Sequence, residues 1–142
     1  MTGSVQQTTT LRRQFDLPEE DVDYLEELGL SWETLVEGCV QWLMLHAVSL
    51  PEGYITREVS VAIRIPPGYP VAALDMAYFH PFLARRDGRA IPQANVVQQL
   101  DGKRWQRWSR HRTTQNQWQP GIDNVKSHLA LIEHWLEREP KR

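Results

Sequence analysis

Arg57–Pro70, REVSVAIRIPPGYP, alternates cleanly for nine residues and then stops. Val59, Val61, Ile63 and Ile65 fall on one side of an extended chain, and Ser60, Ala62 and Arg64 on the other. That period of two is the mark of a half-buried strand. Pro66, Pro67, Gly68 and Pro70 end it, since proline supplies no ladder donor and glycine frees the backbone to turn. Upstream, Cys39–Val48 (CVQWLMLHAV) is rich in β-formers and runs into a turn at Pro51 and Gly53. Downstream, AALDMAYF predicts a third strand before His80-Pro81. Strands joined by such short connections predict an antiparallel meander of four strands or fewer.

Helical segments flank the meander, which makes the fold class α+β. From Asp16, DLPEEDVDYLEELG carries Asp16 and Glu19 at capping-box spacing, Pro18 in the first turn and Gly29 as a stop, with Val22, Leu25 and Leu28 on the buried face. The following LSWETLVEG fits either a short helix capped by Ser31 or an irregular lead-in. At the other end, DNVKSHLALIEHWLERE repeats Ile122, Val125, Leu129, Ile132 and Leu136 at steps of three and four, so a helix lies against the sheet. Leu83–Asp101 is polar, with Gly88 and Pro92, and is expected as a long surface loop opening a flap over residues 83–117. Residues 1–15 are expected to form a flexible tail, and 16–142 a single domain.

The composition narrows the function classes. With 41% hydrophobic and 24% charged residues and a net charge of -2, the chain reads as one globular domain rather than a general nucleic-acid or membrane binder. No apolar run approaches the roughly 20 residues of a membrane span. A lone Cys39 rules out an internal disulfide framework and is expected to be a small buried hydrophobe. No secretory signal is recognised, so the cytoplasm is the expected compartment. The histidines show no metal-ligand spacing, and no phosphate loop is present, so neither metal nor cofactor is expected.

One stretch opposes the acidic balance. In Lys103–Trp118, KRWQRWSRHRTTQNQW, the side chains of Lys103, Arg104, Arg107, Arg110, His111 and Arg112 crowd around Trp105 and Trp108, with Trp118 further on. Basic residues interleaved with tryptophan predict a docking surface for an acidic or carboxylate-bearing partner.

Four short motifs in order give the chain a family resemblance: PPGYP, LDMAYFHP, WQRWSRH and WQPGID. Tyr69-Pro70, His80-Pro81 and Trp118-Gln119-Pro120 resemble the Tyr-Pro turn, the start of the His-Pro-Asn motif and the Trp-x-Pro of ubiquitin-conjugating enzymes. The whole is similar to their bacterial branch, prokaryotic family E, over roughly Leu17 to Leu136. The resemblance implies a ubiquitin-conjugating-like fold in which Tyr69, Pro70, His80, Pro81 and Pro120 are structural. It also implies work beside a ubiquitin-like protein, an adenylating activating enzyme and a deubiquitinase-like peptidase, in a setting such as antiphage defence.

The departures from the family shape the chemistry. Its nucleophilic cysteine stands shortly before Trp-x-Pro, a place held here by Ser109 and Arg110, and Phe82 replaces the asparagine. The resemblance therefore implies a catalytic set of Ser109, His111 and Arg110, in which Ser109 carries the ubiquitin-like protein as an oxyester. In an extended segment His111 shares the face of Ser109 and could act as its base, while Arg110 points away. Arg107, Trp108, Arg112 and Trp118 are expected to bind the partner, with Arg107, Arg112 or backbone N–H groups of the flap as oxyanion donors. The alternative is a non-catalytic adaptor that binds the ubiquitin-like protein or the activating enzyme.

Overall fold

A computed structural model describes residues 10–142. The order of elements is α1 (Glu19–Leu28), β1 (Trp32–Glu37), β2 (Val40–Ser49), β3 (Glu58–Ile65), β4 (Ala77–His80), β5 (Val96–Leu100), β6 (Lys103–Trp108) and α2 (Val125–Arg138). A 3-10 turn at Glu139–Lys141 follows. The strands form one antiparallel sheet in the order β1-β2-β3-β4-β6-β5. The sheet therefore has six strands, not four or fewer.

β3 keeps the expected alternation. Val59, Val61, Ile63 and Ile65 enter a large core together with Leu43 and Leu45 of β2, Leu25 of α1, and Val125, Ile132 and Leu136 of α2. The opposite face is also buried. There Trp42, Met44, Ala62, Tyr78, Leu35, Leu100 and Trp105 form a second cluster. The β5–β6 hairpin covers this second cluster, because the curled sheet brings its Asp101 turn back to β1. Asp101 accepts hydrogen bonds from Arg12 at 2.8 and 2.9 Å and donates its backbone N–H to Glu37 at 3.0 Å.

Several expectations change for physical reasons. The open segment LSWETLVEG is strand β1, whose Trp32–Leu35 stretch is buried beside β2. The supposed loop from Leu83 to Asp101 ends in strand β5, an edge strand whose mostly exposed side chains hide its pairing with β6. Cys39 is not a buried hydrophobe; it is exposed in the β1–β2 turn at φ 65°. Asp16 does not cap α1, whose N-cap is Pro18 without a side-chain bond, although Gly29 ends the helix in the left-handed conformation as expected. Leu28 of the expected buried face is 38% exposed, and Ile122, before α2, is 70% exposed. α2 is capped instead by Asn124, which forms a reciprocal box with Ser127.

Of the expected tail, residues 1–9 lie outside those described, while Arg12 to Phe15 run beside β1. Gln14 N–H donates to Thr34 O and Thr34 N–H to Arg12 O. Arg12 also binds the buried Glu33 at 2.8 Å, and that guanidinium contact holds the Glu33 carboxyl down at about 2. Gly53 sits at φ 112°, where an added Cβ would strike Pro140, so only glycine lets the β2–β3 turn close on the C-terminal turn.

Candidate functional site

β6 lies between β4 and β5, so its alternating side chains meet both clusters. Trp105 points into the second cluster and donates its indole N–H to Leu100 O at 3.0 Å. Trp108 points into the helix-side core. Its indole N–H donates at 3.0 Å to Gln106, whose amide is bound by Leu83 through both N–H and C=O. Both tryptophans are buried, so Trp108, expected at a partner surface, is a core residue.

After β6 the chain turns out of the sheet and its cations meet acceptors. Ser109 N–H donates to Gln93 O at 2.9 Å, and Arg107 Nε donates to Ser109 Oγ at 3.1 Å. Arg110 donates to Pro92 O and to the buried Glu139, with its guanidinium 4.9 Å from the Trp108 ring centroid. Glu139 also receives Arg85 at 3.0 Å. The His111 Nδ1 lies 2.9 Å from the Asp75 carboxylate. Arg112 pairs with Asp123 at 3.6 Å and lies 5.0 Å from the Trp118 ring centroid. Lys103 is 3.9 Å from Asp101. The cationic stretch is thus matched largely from within by carboxylates that local sequence does not pair with it.

The structural motifs meet behind this segment. The Trp118 indole N–H donates to Pro70 O at 3.0 Å, and its ring packs against Tyr69. Tyr69 OH donates at 2.6 Å to Asp21, whose other oxygen accepts the Val125 N–H at the start of α2. Burial pushes the Asp21 carboxyl above its usual range against both hydrogen bonds, and desolvation raises the Tyr69 hydroxyl as well. His80 hydrogen-bonds Arg104 O at 3.0 Å and lies against Trp105. Pro81 follows it at the end of β4, and Pro120 stands two residues past Trp118 in the turn before α2.

The fold does not join the expected catalytic pair. Among the described residues no base hydrogen-bonds Ser109; His111 is turned to Asp75, and Arg110 to Glu139. Neither Asp75 nor Glu139 was a sequence candidate, since 36 residues separate Asp75 from His111 and 29 separate Glu139 from Arg110. His128 was missed as well. It is fully buried on α2, where it meets the O of Met76, just before β4, through Nε2 at 2.9 Å, and desolvation lowers its pKa, so Nε2 carries the proton of a neutral ring. A cavity of about 190 Å³ opens beside His111, lined by Arg110, Trp135, Arg138 and Glu139. Cys39 is three strands across the sheet from β6, counted from β2. No cluster of metal-ligating side chains occurs among the described residues.

The family model of Prokaryotic E2 family E matches residues 17–139. The chain belongs to this family. The match spans both helices and all six strands, so the E2-like fold runs through the sheet and the motif junction just described. Family membership gives this E2-like protein a role in ubiquitin-like conjugation, where E2-like proteins work with ubiquitin-like proteins and activating enzymes. No curated protein matches the chain, and no solved structure does. Among the described residues no helix is long and apolar enough to cross a membrane.

Proposed function

We propose that this E2-like protein is a non-catalytic adaptor in ubiquitin-like conjugation, binding the ubiquitin-like protein or its activating enzyme without carrying it covalently. One observation supports this above the rest: the hydroxyl of Ser109 is held by Arg107, while the imidazole expected to activate it is held by Asp75. A serine hydroxyl is a weak nucleophile at neutral pH and needs a base within hydrogen-bond reach. The proposal places the protein in the cytoplasm, beside an activating enzyme and a deubiquitinase-like peptidase, with neither nucleic acid nor membrane as partner.

The second reading is the oxyester carrier, and a specific arrangement favours it. Asp75 orients His111 through Nδ1, with Nε2 making no hydrogen bond among the described residues, Arg107 Nε–H faces the oxygen on which an alkoxide would form, and the cavity beside His111 is lined by arginines suited to a carboxylate. Calorimetry with the ubiquitin-like protein and the activating enzyme tests the adaptor. Ser109→Ala and His111→Ala should bind with unchanged affinity and support unchanged conjugation in a reconstituted pathway. Loss of conjugation with binding intact contradicts the adaptor reading.

A further inference from the structure

A groove opens between α1 and α2. It is a cavity of about 270 Å³ walled by Tyr24 and Leu28 of α1, Leu129 and Leu136 of α2, and Val48 and Leu50 at the end of β2. Leu28 is 38% exposed on its lip. The rim is acidic on both sides. Glu133 and Glu137 of α2 line the groove one helical turn apart. On α1, Glu20 and Glu27 lie within a turn of Tyr24 on the side away from buried Asp21 and Leu25, and both are exposed. None of these four carboxylates, nor the neighbouring Asp23, forms an ion pair among the described residues. Lys126 of α2 has its Nζ 5.8 Å from the Tyr24 ring centroid.

We infer that this groove docks a basic amphipathic helix of a partner protein, with leucine-like side chains in the groove and lysines or arginines against the two rims. The inference does not depend on how conjugation proceeds. Charge selects the occupant, since an apolar floor between unpaired carboxylates attracts a cationic, apolar-faced segment and repels an acidic one. Backbone pairing is closed to the occupant: β2 is paired with β1 and β3, and β3 with β2 and β4, so the groove floor offers no free strand edge. A second copy is disfavoured, because its own helices present the same acids. Residues 1–9 contain no lysine or arginine to satisfy the rims.

The test uses the full chain, 15N-labelled, titrated with a synthetic helical peptide carrying leucine at i, i+3, i+4 and i+7 and lysine elsewhere. Two controls replace its lysines by glutamate or its leucines by serine. The expected result is saturable binding of the leucine–lysine peptide alone, with amide shifts centred on Tyr24, Leu28, Val48 and Leu129. Reversing both α2 rim charges, Glu133→Lys with Glu137→Lys, should weaken binding about tenfold or more. Leu28→Asn, at a partly exposed position, should weaken it without loss of the folded spectrum. The proposal is overturned by any of four results: no saturable binding, equal binding of the serine control, shifts confined to another face, or self-association that blocks the groove in the absence of peptide.

Discussion

From Arg107 to Arg112 the chain carries four potential cations in six residues; Arg110, His111 and Arg112 each meet a carboxylate from elsewhere in the fold, and Arg107 donates to the nearby Ser109 hydroxyl. Along α1 a comparable run of opposite charge, Glu19, Glu20, Asp23, Glu26 and Glu27, is exposed without an ion pair among the described residues. The two regions look equally suggestive in sequence. Their difference lies in where the countercharges come from. Asp75, Asp123 and Glu139 are brought to the cationic segment by β4, the turn before α2 and the C-terminal 3-10 turn. At α1 the nearby Lys126 of α2 lies over the Tyr24 ring and forms no ion pair with the α1 acids among the described residues. Charge density marks a binding face when the fold leaves it unmatched, and a structural lock when it does not.

The largest test of that contrast is Trp108→Ala. As a core residue packed on Phe79 and Tyr54, its truncation should cost about 3–5 kcal/mol in a urea melt. A change near zero would return Trp108 to the surface. Next comes Glu139→Gln, which removes the carboxylate shared by Arg85 and Arg110 while their guanidinium groups stay half or fully buried. A loss of stability smaller than that of Trp108→Ala is expected in the same melt, because Arg110 loses its carboxylate partner while Arg85 keeps Asp87.

The clasp between Arg12 and Glu33 should show in acid. The carboxyl is lowered from 4.5 to about 2 by Arg12, so its contribution is complete above about pH 4.5 and is lost as pH falls towards about 2. Arg12→Gln should therefore destabilise at pH 7 by about 1–2 kcal/mol, and the difference from wild type should shrink through that acid window. Smallest of all is Glu27→Lys on α1. Stability should move by no more than about 0.5 kcal/mol while the salt dependence of basic-peptide binding falls, and a large stability change would show that the α1 acids are structural after all.

Much of the fold is legible where one periodicity acts alone. β3 alternates because its successive side chains enter opposite faces of the sheet, α2 repeats at three and four, and Gly29 ends α1. The sheet's second buried face is what the sequence obscures. Trp105 and Trp108, three residues apart, fall on opposite sides of β6, and a sheet expected to be covered on one side leaves one of them apparently free to bind. β5 is hidden because its pairing with β6 is carried by backbone, under side chains that remain mostly exposed. The candidate site is legible in its residues and not in its contacts. Ser109 and His111 are two apart, yet Asp75, 36 residues upstream of the imidazole, takes its Nδ1. Such long-range partners leave no local pattern.

The most direct measurement is the intact mass of the chain after incubation with its ubiquitin-like protein, the activating enzyme and ATP, with and without hydroxylamine. The adaptor account predicts an unchanged mass alongside measurable binding. A hydroxylamine-labile addition that maps to Ser109 and disappears in Ser109→Ala would contradict it and establish an oxyester carrier.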